Sequence, residues 1–238
     1  MTTMTPSLLK PRSARADPSP VRPSARRRLT FSPLAWLKLQ FLCHAGPTEV
    51  AAFGLAAVDD PLYLEDILVV RQRCTPVTVA FDDEAVADLF DQMVDAGIAP
   101  QRFARVWLHT HPGASVDPSG TDEETFHRVF GGCDWAVMAI LGRTGHAVAR
   151  LTFNSGRGGS LNLPIHVDWT NWPATAHMLA EQVIVWEQQY VERVESTAWG
   201  WPEEFVRNAN DPSVAFLLGD PNDPFWDPFH PGEAHAFE

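Results

Sequence analysis

The stretch RFARVWLHTH, residues 102–111, constrains the fold more than any other. Its side chains alternate and then turn apolar into Trp107 and Leu108, the pattern of a strand in a core. The far end of that strand delivers His109 and His111, whose i, i+2 spacing turns both rings to one side. Pro112 then fixes the backbone immediately after them.

The patterns around this strand set the fold class. A helix of amphipathic type is expected from Ser32 or Pro33 to Cys43 or His44, with Leu34, Leu37, Phe41 and Leu42 at helical spacing and Ala45-Gly46-Pro47 as its stop. TEVAAFGLAAV starts a strand, and YLEDILVVRQRCTPVTVAF supplies one long or two short ones. DDEAVADLFDQMVDAG is a helix with acids at its front end, where the dipole favours them. Beyond the histidines, GASVDPSG is a loop and TDEETFHRVF a short helix, with Thr121 and Glu124 at capping-box spacing. DWAVMAILG and HAVARLTF form a hairpin turning at RTG; LNLPIHV is an edge strand, because Pro164 forbids a central place. AHMLAEQVIVWEQQYVERVES, residues 176–196, is the longest helical pattern and is expected to pack on the sheet. The order describes an α/β domain, a mixed β-sheet sandwiched by helices.

Residues 1–29, rich in Pro, Ser and Arg, bury too little to offset their ordering entropy and read as a disordered lead. Residues 30–170 form the domain, 171–198 a C-terminal helix packed on it, and 199–238 a Pro- and aromatic-rich tail. In that tail Trp226 and Phe229 either gate a groove or cover apolar surface.

Of 18 basic and 30 acidic groups in the 238-residue chain, residues 1–28 hold seven basic ones and Asp17. The rest carries 11 against 29, net −18, which argues against a nucleic-acid backbone as partner and favours a basic protein or peptide. Cys43, Cys74 and Cys133 form no CxxC pair and fit buried thiols in a reduced, cytoplasmic setting. Paired arginines ahead of an apolar run suggest export, but Lys38 interrupts that run. No run of eighteen apolar residues exists, so no membrane partner is expected.

Two histidines on one face supply two of the three protein ligands that a catalytic zinc ion takes. The third is a carboxylate from a nearby element. Asp122, in the first turn of the next helix, ranks ahead of Asp117, which is mid-loop before Pro118. Histidine pairs two apart also arise by chance in surface strands. The coincidence with Ser119 and with a distant acid, Glu49, after a Gly-Pro turn is what raises a metal site above that reading. Hydrolysis at such a site needs a carboxylate to carry a proton and a donor for the oxyanion.

Glu49 followed by His109, His111, Pro112, six residues, Ser119, two residues and Asp122 is similar to the signature of the JAMM/MPN+ (JAB domain) zinc metalloprotease family. The chain resembles a prokaryotic, deubiquitinase-like member over about residues 32–155. The resemblance implies an MPN/JAB-type, cytidine-deaminase-like sheet and a JAMM/MPN+ catalytic domain over residues 30–170. It implies one Zn²⁺ on His109, His111 and Asp122, Glu49 as general acid/base and Ser119 as oxyanion donor. Two positions where members often carry glycine are Ala52 and Ala56 here, with Gly54 between them.

The implied reaction is hydrolysis of the peptide or isopeptide bond after the C-terminal glycine of a ubiquitin-like protein. Its implied partners are that protein or its conjugate and ubiquitin-activating or conjugating-like enzymes of one operon, of the kind found beside sulfur-carrier proteins and in antiphage defence. The alternatives are a catalytically silent MPN-type scaffold and a hydrolase that removes a small amino-acid adduct from a sulfur-carrier protein. There is no HExxH, and HPGEAH has the wrong spacing; no PCxxC supports a zinc deaminase. Cys43 beside His44 reads as a core thiol, and His127 and His146 as ordinary histidines. Asp117 and Thr110 are candidates to orient ligands. Asn154 and NSGRGGS are candidates to line a groove where an extended tail adds a strand.

Overall fold

The computed structural model describes residues 27–172 and 176–197. The readings of the lead before residue 27 and of the tail with Trp226 and Phe229 lie outside the described residues. The order begins β1 (Leu29–Phe31), α1 (Pro33–His44), β2 (Val50–Ala56), β3 (Tyr63–Leu68), β4 (Gln72–Thr75), β5 (Thr78–Phe81), α2 (Asp83–Asp95) and α3 (Pro100–Phe103). It continues β6 (Val106–His111), α4 (Gly120–Phe130), β7 (Trp135–Gly142), β8 (Ala147–Phe153), β9 (Gly159–Asn162), β10 (Ile165–Val167), α5 (Ala176–Arg193) and β11 (Val194–Ser196).

The architecture is α/β. A mixed eight-stranded sheet runs β10-β1-β3-β2-β6-β7-β8-β9, and a three-stranded sheet runs β11-β4-β5. β6 lies centrally, antiparallel to β2 and parallel to β7, and all six of its residues are buried. Its alternation splits the core in two. Val106 and Leu108 join the cluster under α1, while Trp107 packs with Phe53, Met138, Phe126 and Phe130 under α4. His109 and His111 therefore share the α4 face with Trp107. Among the described residues no helix is long and apolar enough to cross a membrane.

Several elements differ from expectation for identifiable reasons. α1 begins where expected, Ser32 Oγ accepting from Ala35 N–H at 3.1 Å, but no amphipathic stripe results. The sheet covers one side and α5 the other, with Phe41 and Trp186 rings 6.0 Å apart, so even Lys38 is buried. Its ammonium donates to Ile67 O at 2.6 Å and to Asp66 Oδ1 at 3.3 Å, and burial lowers its pKa. The Val-rich run forms three strands, because the chain leaves the large sheet after Leu68 and turns again between Thr75 and Thr78. Phe103 belongs to α3, which opens with Pro100 at its N-terminus, and the histidine strand starts only at Val106. Residues 194–196 leave the last helix and pair with β4. Leu29, assigned by sequence to the lead, is the fully buried start of β1.

LNLPIHV is divided, and its halves lie at opposite edges of the large sheet. β9 pairs with β8 and β10 with β1, and only Leu163 and Pro164 separate them. Leu163 N–H donates to Ala149 O, and Leu29 N–H donates to Pro164 O, both at 2.9 Å. The sheet is therefore strongly curved around α1. Pro164, which has no N–H to give, sits where no ladder needs one.

Gly54 lies in β2 between Ala52 and Ala56. A β-carbon there would come within 2.9 Å of Leu64 Cδ2 and 3.1 Å of Val106 Cβ. Close approach is thus required at Gly54, and alanine suffices on either side. Overpacking by Gly54→Val is expected to cost about 1–3 kcal/mol, read as a lower urea midpoint at unchanged m value.

Candidate metal centre

His109, His111 and Asp122 form a cluster capable of holding a metal ion, with one ligand atom from each all within 4.8 Å of one another. His109 Nε2 and His111 Nε2 are 3.0 Å apart, and Asp122 places Oδ1 at 3.6 Å from the first and Oδ2 at 3.7 Å from the second. An ion with bonds of about 2.0–2.2 Å in tetrahedral geometry spaces its donors by roughly 3.3–3.6 Å; the His109–Asp122 edge falls in that range, the His111–Asp122 edge lies just above it, and the imidazole pair is closer together than a bound ion would hold it. Among the described residues, this is the group of such side chains close enough to do so.

The tautomer of His111 suits the same purpose. His111 Nδ1 lies 2.9 Å from Ser115 O, and as donor to that carbonyl it leaves the Nε2 lone pair facing the cluster. His109 is fully buried, its ring 4.6 Å from that of Trp107, and its Nδ1 has no hydrogen-bond partner. Burial lowers the His109 pKa, which keeps it a neutral ligand. Asp122 beside it raises the pKa of His111. Burial works to raise the Asp122 carboxyl, yet His109, His111 and Ser119 together hold it well below the usual range.

Asp122 owes its place to the start of α4. Ser119, not Thr121, is the cap: Ser119 Oγ accepts from Asp122 N–H at 3.2 Å, and Asp122 Oδ2 accepts from Ser119 N–H at 2.7 Å. The cap lies two residues before the expected one because Ser119 takes the extended conformation after Pro118, with φ −74° and ψ 167°. The expected oxyanion donor and the third ligand are thus joined in one reciprocal capping box. Asp117 is exposed and contributes only an N–H to Ser115 Oγ.

Glu49 arrives from the other side. β2 pairs Val50 with Thr110 and Ala51 with His109, so continuing the register sets Glu49 opposite His111. Its Oε1 is 3.7 Å from His111 Nε2, while Oε2 is buried without a hydrogen-bond partner. Burial pushes the Glu49 carboxyl up to about 7, against the pull of His111 and with the help of Asp122. Thr110 holds backbone: its Oγ1 accepts from Val50 N–H at 3.1 Å. Arg143, which sequence did not single out, donates from its side chain to Gly46 O at 2.8 Å and from its backbone to Gly113 O at 3.0 Å. It ties the approach to Glu49 to the loop after His111.

Asn154 lines a groove of about 290 Å³ between α4 and the β8–β9 edge, together with Phe126, Arg150 and Ser160. Its Nδ2 donates to Gly131 O and Cys133 O, which anchors the end of α4. Cys43 is a core thiol raised to about 11 by burial, as expected.

The fold and cluster together define an α/β protein with a two-histidine, one-aspartate site able to take a metal and a buried carboxyl beside it. No protein-family model matches the chain, and no curated protein matches it either.

Proposed function

We propose that this chain is a zinc-dependent peptidase or isopeptidase of the JAMM/MPN+ type, cutting the bond after the C-terminal glycine of a ubiquitin-like protein. The observation that carries the reading is the convergence of Glu49 on a cluster some sixty residues away in sequence, its carboxylate 3.7 Å from His111 Nε2. His109, His111 and Asp122 would hold the ion. When bound, Zn²⁺ supplies Lewis acidity toward a carbonyl and lowers the pKa of water.

The remaining work falls to the chain. Glu49, buried with Oε2 unpartnered and Oε1 3.7 Å from His111 Nε2, is placed to carry a proton. It accepts the proton of the attacking water and passes it to the departing amine. Ser119 Oγ uses a lone pair on Asp122 N–H, which leaves its own O–H proton to donate to the developing oxyanion. The partners that fit are a ubiquitin-like protein or its conjugate and the activating or conjugating enzymes of the same system.

The test is zinc content of purified protein, followed by incubation with ubiquitin-like proteins fused through their terminal glycine to a reporter. One zinc per chain and a product ending at that glycine support the reading. A zinc-loaded protein that cuts no such fusion overturns the substrate class. Ser119→Ala is expected to lower kcat by about 10²–10³-fold and, through the lost cap, stability by about 1 kcal/mol. Turnover and a denaturant melt check the two effects separately.

A further inference from the structure

Gln72 stands out as a buried polar side chain that the proposed chemistry does not use. It is 1 % exposed, at the start of β4. Its carboxamide lies between two backbones that ought to pair. β2 and β3 pair Phe53 with Leu68, and the same register continued would set Ala51 against Val70. The chain has left the large sheet by then. Gln72 fills the gap: Oε1 accepts from Ala51 N–H at 2.8 Å, while Nε2 donates to Ala51 O at 2.8 Å and to Val70 O at 3.0 Å. A side-chain amide thus stands in for a missing strand.

The consequence falls on Glu49. Three successive amides hold its segment: Glu49 N–H to Thr75 O at 2.9 Å, Val50 N–H to Thr110 Oγ1, and Ala51 N–H to Gln72 Oε1. None of the three is an ordinary ladder bond within the large sheet. The three metal-site residues, by contrast, stand on β6 and α4. We infer that Gln72 is a positioning residue for Glu49, setting the proton carrier against the cluster without contributing to metal affinity. This rests on the reading of Glu49 given above.

Truncating the amide leaves Ala51 N–H and O buried and unpaired two residues from Glu49. Gln72→Leu is therefore expected to bind zinc as the parent does and to keep KM within about twofold, while kcat falls at least about tenfold, the loss a displaced catalytic group produces. The Ala51 amide should exchange hydrogen at least about tenfold faster. Gln72→Glu, which keeps an acceptor for Ala51 N–H and loses both donors, should fall between parent and Gln72→Leu. It serves in place of Gln72→Leu if that protein does not fold. Parental kcat, or loss of zinc in parallel with kcat, overturns the inference. Glu49→Gln is run alongside: if it turns over normally, the reading of Glu49 falls and this inference with it. If it is inactive while the Gln72 variants are parental, only this inference falls.

Discussion

Glu49→Gln binds Zn²⁺ like the parent and loses about 10²–10⁴-fold in turnover, the range supplied by a positioned acid/base. The substitution keeps the shape of the side chain and removes its ability to carry a proton. Metal affinity should survive because the ligand atoms come from His109, His111 and Asp122, and Glu49 approaches only from the opposite strand. Metal analysis and single-turnover cleavage on one preparation check both halves. Retained turnover removes Glu49 from its role; lost zinc makes it a ligand instead.

Zinc should also stabilise the fold by a large margin. An ion that binds the native state alone, at a thousand times its Kd, adds about 4 kcal/mol. For a chain of this size that raises Tm by roughly 8–16 °C. The native state has reason to welcome the charge: two imidazole nitrogens lie 3.0 Å apart in a buried site, next to a carboxylate held in its ionised form. His109→Ala and Asp122→Asn should abolish the rise, and a chelator should reverse it in the parent. A parent whose Tm is indifferent to Zn²⁺ over that range argues that the cluster is an ordinary hydrogen-bonded group.

The parts of this arrangement readable from sequence are those set by local spacing. The i, i+2 histidines needed only a strand, and Asp122 needed only a helix start within reach of it. The sequence reading places the capping box at Thr121 and Glu124, whose spacing equals that of Ser119 and Asp122; spacing alone cannot choose between them, and the extended backbone of Ser119 after Pro118 decides it. Pro76, at the turn between β4 and β5, is a signal that the reading of one long or two short strands leaves unused. What could not be read was how β3 departs from β2 after Leu68, because that depends on packing between remote elements. The role of Gln72 exists only through that departure. Glu49 is noted in the sequence as a distant acid and takes its role by resemblance; the β2–β6 register supplies the physical reason it faces His111. The amphipathic reading of α1 failed for a related reason, since no local pattern shows that a second helix will close over its outer side.

The short link through Leu163 and Pro164 has a mechanical meaning. Because β9 and β10 are tethered at opposite flanks, neither rim of the curved sheet can peel away alone: opening the Leu29 rim drags on the last hairpin, and the reverse holds. Strain applied at either margin is shared around the whole girdle, so the histidine strand at its centre sits in the segment most remote from fraying.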